Sequence, residues 1–117
     1  FIHNNPFEEA LPYLTTAFEA VENDNDCVIV GVISRVQKKK DRNKKPFAFV
    51  NIYSTFGIIE GVLWNSQLVQ YEDLVKKGSQ VAIKCRKTDD DKVTIQAMRP
   101  YVEWLSERKK RHGRKNI

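Results

Sequence analysis

The chain has 117 residues, of which 41% are hydrophobic and 30% are charged, and its net charge is +5. This length allows one domain with a modest core, and the composition is that of a globular domain. The sequence contains no apolar run long enough to span a bilayer and no segment that resembles a signal peptide. We therefore expect a cytoplasmic protein with one site and no contact with membranes.

The basic residues are distributed unevenly. Residues 1–26 contain six acidic side chains and no lysine or arginine, so the remainder of the chain carries a net charge of +11. Its basic residues cluster in KKKDRNKK (Lys38–Lys45) and in ERKKRHGRK (Glu107–Lys115), which a polyanion such as nucleic acid would attract. Solvated loops and tails are often rich in lysine too, so charge alone leaves both interpretations open.

The N-terminal segment predicts short helical turns. The apolar residues at helical spacing are Phe7, Leu11, Leu14 and Phe18, but Pro12 interrupts the pattern. Turn-forming residues at 22–26 predict a boundary before the main domain. The predicted organisation is a short helical segment and linker at 1–26, a barrel at 27–99, and a short amphipathic turn with a basic tail at 100–117.

Three strands are predicted after the boundary. Residues 27–37 (CVIVGVISRVQ) are dense in β-branched side chains, and Gly31 is a position where the strand could bend or bulge. Residues 46–54 alternate with a period of two, and a short turn then leads to a third strand at 58–64. One face of the second strand would carry Phe47, Phe49, Asn51 and Tyr53, and the core face would carry Ala48, Val50 and Ile52.

A helix and two further strands complete the pattern. Residues 65–78 (NSQLVQYEDLVKKG) carry the clearest helix signal, with Asn65 and Ser66 as candidate N-caps and a terminal glycine. Residues 79–87 and 92–98 predict strands joined by a turn. The order β-β-β-α-β-β is that of the five-stranded OB-fold, a partly open Greek-key barrel. The predicted class is all-β with one helix and a short helical N-terminal appendage.

The stretch KKPFAFVNIYSTFGIIEGVLW, with LVKKGSQVAIKCR after it, resembles the OB domain of the alpha subunit of bacterial-type DNA polymerase III over residues 27–99. Residues 45–49 match the Lys-Pro-x-Ala-Phe motif of that family, and Gly78-Ser79 match the residues that precede its fourth strand. Upstream, Pro6-Phe7 fit a segment that precedes the OB domain, although Asn5 stands where histidine is usual.

The turn Ser54–Gly57 lacks the acidic residues common in the family, which indicates a divergent member such as one encoded by a phage or plasmid. The resemblance implies a domain that binds single-stranded nucleic acid and positions the template of a replicative polymerase. Its partners would be single-stranded DNA and the remaining domains of the polymerase chain. The fragment would be a monomer without cofactor, metal or small-molecule substrate.

Exposed aromatic side chains beside basic loops suit single strands, because bases stack on the rings while lysines contact phosphates. The same sequence motif in the second strand occurs in the anticodon-binding domains of class II aminoacyl-tRNA synthetases, where the phenylalanine matching Phe49 stacks on an anticodon base. The candidate nucleic-acid-binding residues are Arg35, Lys38, Lys39, Lys40, Arg42, Lys44, Lys45, Phe47, Phe49, Asn51, Tyr53 and Glu60.

Two functional alternatives stay open: a tRNA-binding domain of the anticodon type, and an OB-fold whose phenylalanine-rich face docks a protein. In the structural alternative, Phe47 and Phe49 pack under the N-terminal segment as core. Trp64 and Trp104 could stack on bases as well, but Trp64 is expected to seal the barrel end and Trp104 to cover an apolar edge, because large aromatic side chains are usually buried.

The remaining polar and sulfur groups predict no chemistry. Asp89–Asp91 is interpreted as a turn, and Cys27 and Cys85 as separate core residues. The sequence shows no nucleophile with a base, no phosphate-binding glycine loop and no spaced carboxylates for metal-assisted phosphoryl transfer. The fragment is therefore not expected to be an enzyme, and the active-site carboxylates of a parent polymerase would lie elsewhere in that chain.

Overall fold

The computed structural model describes residues 7–14 and 18–115, apart from the side chains of residues 8, 11, 12, 19 and 111–115. Asn5 and Pro6, which the polymerase resemblance uses, lie outside the described residues. The strands are β1 (Asp26–Lys40), β2 (Pro46–Ser54), β3 (Gly57–Leu63), β4 (Gln80–Asp89) and β5 (Lys92–Pro100). The helices are α1 (Asn65–Gln70) and α2 (Tyr101–Lys115), with 3-10 turns at Glu8–Tyr13, Phe18–Ala20 and Glu72–Leu74.

The five strands close into a barrel in the order β1-β2-β3-β5-β4, which confirms the predicted five-stranded OB-fold. The β3–β5 pairing is parallel, and the other four pairings are antiparallel. The inward side chains of β2 are fully buried, and they meet fully buried residues of the other four strands. No helix within residues 7–14 and 18–115 combines the length and the apolar character needed to cross a membrane.

Gly31 and Val32 are the residues at which β1 pairs with both of its neighbours. Gly31 is opposite Ser54 of β2 and Val81 of β4. A Cβ atom at this position would lie 2.6 Å from the carbonyl oxygen of Tyr53. Glycine is therefore required here because a side chain would collide with the backbone of β2, whereas the irregularity of β1 that was predicted at Gly31 lies at Ser34.

The predicted helix over 65–78 is shorter than expected. Backbone angles of φ −111° and ψ 18° at Tyr71 end α1, and a separate 3-10 turn follows. The predicted N-caps are wrong, because Trp64 occupies that position and makes no side-chain cap. The side-chain amide of Asn65 instead donates to the carbonyl oxygen of Pro46, and the hydroxyl of Ser66 donates to the side-chain oxygen of Gln67.

The C-terminal region differs from the predicted short turn and solvated tail. It forms α2, which is fifteen residues long. Tyr101 and Trp104 on this helix are buried against Val30 and Ala82 on the outside of the barrel. The apolar contacts of its first turns explain why the helix forms where the charge pattern alone suggested a solvated segment.

The N-terminal segment forms the short helical turns that were predicted for its described residues. Phe18 belongs to the barrel core, and the buried ammonium of Lys87 lies 4.5 Å from its ring centroid. The same ammonium donates a 3.0 Å hydrogen bond to the carbonyl oxygen of Phe18. Phe7 packs edge-on against Tyr101, so this segment covers the β1–β4 side of the barrel together with α2.

The two cysteines, which the sequence separates by 58 positions, are opposite each other on β1 and β4. Cys85 is buried and Cys27 is half-buried, as expected for core thiols, but their Sγ atoms are only 3.6 Å apart. A hydrogen bond from Cys85 lowers the pKa of Cys27, because it stabilises the Cys27 thiolate. Sequence spacing could not reveal this contact, since it depends on the β1–β4 register.

We expect mild treatment with hydrogen peroxide to join Cys27 and Cys85 in an intramolecular disulfide. The Cys27 thiolate would attack the peroxide to give a sulfenic acid and water, and Cys85 would displace a second water. Directly paired residues of antiparallel strands have Cα separations within the range that disulfides require. Mass spectrometry should show the loss of both thiol hydrogens, with Cys85→Ser as the control that gives none.

Candidate nucleic-acid interface

The outward side chains of β1, β2 and β3 form rows across the sheet, because the registers of the three strands align. These rows are Lys39–Phe47, Gln37–Phe49–Val62, Arg35–Asn51–Glu60 and Val32–Tyr53–Ile58. The intervening side chains of β2 point inward and are fully buried. The predicted orientation of β2 is therefore confirmed, and the surface formed by the four rows is called the outer face below.

A β-bulge at Ser34 determines which residues of β1 reach the outer face. The register shifts between Ile33, which is opposite the buried Ile52, and Arg35, which is opposite Asn51. The extra residue reverses the alternation of β1, so that Arg35 and Lys39 point to the same side as the phenylalanines. Without the bulge, these two cations would point toward the barrel interior.

Phe47 and Phe49 form the aromatic centre of the outer face. Their ring centroids are 5.5 Å apart in an edge-to-face arrangement, and both rings are half-buried. The ammonium of Lys39 lies 5.5 Å from the centroid of the Phe49 ring. The alternative that both rings pack under the N-terminal segment is wrong for the described residues of that segment. Phe18 of the segment packs into the barrel interior, and Phe7 packs beside α2.

The basic run differs from the predicted loop, since its first three lysines extend β1 and only residues 41–45 form the connection to β2. Asp41 organises this turn: its carboxylate accepts hydrogen bonds from the backbone amides of Asn43 and Lys45 at 2.8 and 3.0 Å. Its own amide donates to the carbonyl oxygen of Lys45. The single acidic residue of the run therefore fixes the turn that presents the cations.

The basic side chains of this region are all exposed but do not point in one direction. Lys39 lies on the outer face, whereas the register places Lys38 and Lys40 on the other side of β1. The remaining cations of the candidate set lie on the turn, namely Arg42, Lys44 and Lys45. Positive charge therefore borders the aromatic centre at the Phe47 end of the outer face.

A polar row lies next to the aromatic centre. Arg35 and Glu60 are exposed on β1 and β3, and the half-buried Asn51 lies between them on β2. The hydroxyl of Ser34 donates to the carbonyl oxygen of Asn51 at 3.2 Å, which ties the bulge to β2. Such a row offers hydrogen-bond donors and acceptors beside the aromatic centre.

Large exposed side chains extend the apolar surface at both ends of the outer face. Tyr53 and Ile58 are 59% and 60% exposed at one end, and Trp64 is 50% exposed at the other. The prediction that Trp64 seals the barrel end is wrong, because its ring packs beside Phe47 on the outside. An aromatic residue directly after an alternating strand was the available signal, but alternation does not define the direction of a residue beyond the strand.

The other sequence features contribute nothing to this surface. Trp104 on α2 is 5% exposed and covers an apolar edge of the barrel, as predicted. Asp89–Asp91 form the β4–β5 turn, in which the amide of Asp90 donates to the side chain of Asp89. Across the described part of the chain, no three or more His, Cys, Asp or Glu side chains are grouped so that they could hold a metal ion.

Residues 27–103 match the model of a protein family described as OB-fold nucleic acid binding domain, a model that is named for the tRNA anticodon. The matched range contains all five strands except the first residue of β1, and it includes the whole outer face. No curated protein matches the chain in sequence.

Solved structures with a similar fold include two single-stranded DNA-binding proteins. The mitochondrial protein Rim1 from S. cerevisiae has a TM-score of 0.55 at 15% identity, covering 67% of this chain and 94% of its own. An SSB domain from Synechococcus sp. has a TM-score of 0.54 at 14% identity, covering 67% and 97%. The enzyme TiaS in complex with tRNA(Ile2) and ATP has a TM-score of 0.52 at 14% identity, covering 68% of this chain and 19% of its own. At such identities, these similarities concern the fold alone.

Proposed function

Because the chain belongs to the family of OB-fold nucleic acid binding domains, we propose that its outer face binds single-stranded DNA. Bases stack on Phe47 and Phe49, and the exposed lysines of β1 and of the β1–β2 turn contact the phosphates. The polar row with Arg35, Asn51 and Glu60 then meets the edges of the bases.

The observation that carries this proposal is the position of Lys39 over the Phe49 ring, with Phe47 edge-on beside it. A cation and half-buried rings on one open sheet face can bind the phosphate and the base of the same nucleotide. The exposed outer face of the barrel also admits an extended single strand, whereas a duplex keeps its bases stacked inside.

We further propose that the domain belongs to the alpha subunit of a bacterial-type DNA polymerase III, where it would hold the single-stranded template. This assignment is supported by the resemblance of the motif at residues 45–49 and of Gly78-Ser79 to the OB domain of that subunit. In that context the rest of the polymerase chain is its partner, and catalysis belongs to carboxylates outside this domain. The isolated domain accordingly binds but does not turn over nucleic acid.

A tRNA-binding role of the anticodon type is the second candidate. The name of the matching family model favours it, and TiaS with bound tRNA shares the fold. The basic C-terminal run of α2 would then supply additional contacts to a folded RNA. The two candidates use the same outer face, so substrate preference distinguishes them.

Titration of fluorescently labelled single-stranded DNA, the matching RNA, duplex DNA and a tRNA at several salt concentrations tests the proposal. We expect the DNA single strand to bind more tightly than the duplex, with an affinity that falls steeply with salt because counterions are released. Preference for the tRNA over both single strands would favour the anticodon-type role. Absence of binding to every nucleic acid would favour a protein-docking surface and contradict the proposal.

A further inference from the structure

We infer that Trp64 provides an additional base-stacking site, which extends the interface beyond Pro46, the first residue of β2, toward the basic turn at residues 41–45. The inference deepens the proposed binding of single-stranded DNA and rests on it. The ligand at this site is a nucleobase, which belongs to the same DNA strand as the base stacked on Phe49. The indole is 50% exposed, and its centroid lies 5.1 Å from that of Phe47, with the two planes inclined by 30°.

The position of the indole is fixed by the backbone around it. Trp64 directly follows β3, and its carbonyl oxygen accepts a 2.9 Å hydrogen bond from the amide of Leu68 in α1. The side chain of the next residue, Asn65, donates to the carbonyl oxygen of Pro46 at 3.0 Å. These two bonds hold the start of α1 against the first residue of β2, so the ring is placed beside Phe47 before any ligand binds.

The spacing of the rings determines where a base can stack. A base inserted between two rings needs a separation of about twice the 3.4 Å rise of stacked bases, or roughly 7 Å. The centroids of Trp64 and Phe47 are closer than this, so no base fits between them. The free face of the indole is therefore the stacking surface, and it holds the base at the end of the bound tract.

The charge around Trp64 selects nucleic acid as the occupant. Pro46, to which Asn65 is bonded, immediately follows Lys44 and Lys45 of the basic turn. A base on the indole would thus bring its phosphate toward several exposed cations. The indole, the basic turn and the Phe47–Phe49 rings form one continuous surface.

The intrinsic fluorescence of the protein tests this site, because its second tryptophan, Trp104, is 5% exposed and packs from α2 against the barrel. An oligodeoxythymidylate of about 16 nucleotides, which covers the site size of one OB-fold, should quench the emission of the wild type. In Trp64→Phe, where Trp104 is the remaining tryptophan, the emission should stay constant while the anisotropy of a labelled oligonucleotide still reports binding.

Affinity gives an independent readout. We expect Trp64→Ala to weaken binding of the same oligonucleotide by roughly 5- to 150-fold, and Trp64→Phe to retain most of the affinity because it keeps an aromatic face. The exposed Val69→Ala on α1 is the control that should bind as the wild type. If Trp64→Ala and the wild type bind equally well, the stacking site is wrong and the proposed function stands. If the wild type binds no single strand at all, both are wrong.

Discussion

Replacement of Lys39, Lys40, Lys44 and Lys45 by alanine should weaken binding to single-stranded DNA by roughly two orders of magnitude at physiological salt. All four side chains are exposed near the Phe47 end of the outer face: Lys39 lies on the face itself, Lys40 on the other side of β1, and Lys44 and Lys45 on the turn. Each lost phosphate contact should make the log-log salt slope shallower by about 0.7, and loss of four contacts by about 2.8. The loss should be uniform across sequences, because phosphate contacts do not read bases.

A control with the same change in net charge separates local contacts from a general electrostatic effect. Lys76, Lys77, Lys84 and Lys110 are also exposed but lie on the α1–β4 connection, on β4 and on α2. Their replacement by alanine should change the salt slope much less, when both variants are measured by anisotropy between about 50 and 200 mM salt, a range typical for such titrations. Equal slopes for the two variants would place the phosphate path elsewhere on the protein.

The faces of β2 were predictable from the sequence because alternation is a local property. Ala48, Val50 and Ile52 are small or β-branched and point to the core, so the intervening aromatic residues must point outward. Gly31 was expected to bend or bulge β1, but the structure shows instead a close approach by the backbone of β2, and the bulge lies at Ser34. The alternation of β2 therefore defines the central part of the candidate interface.

The features that were missed depend on contacts between distant parts of the chain. The bulge at Ser34 arises from pairing between β1 and β2, and nothing within β1 marks it, although it places Arg35 on the outer face. The Cys27–Cys85 contact likewise requires the β1–β4 register. The length of α2 depends on the burial of Tyr101 and Trp104 against the barrel, which outweighs the polar composition of the helix.

Replacement of Phe49 by alanine should weaken binding to single-stranded DNA by about 1–3 kcal/mol, the usual loss for one base-aromatic stack. The ring is half-buried on the outer face, in contact with the Phe47 ring and under the ammonium of Lys39. Truncation should lower the free energy of unfolding by about 2 kcal/mol, because it removes an aromatic pair and the partial burial of the ring. Binding is measured by anisotropy, and stability by thermal and urea unfolding.

Two further variants serve as controls: one should change stability without changing affinity, and the other should retain the affinity lost in Phe49→Ala. Val50→Ala removes a fully buried side chain from the inner face of the same strand, so it should reduce stability and leave the affinity of the folded protein unchanged. Phe49→Tyr keeps a ring and should retain most of the affinity. If Phe49→Ala instead lowers stability by about 3–5 kcal/mol, as for a core phenylalanine, with unchanged affinity of the folded fraction, the ring would be structural. The stacking platform would then have to lie at Tyr53 or Trp64, the most exposed aromatic side chains at the two ends of the outer face.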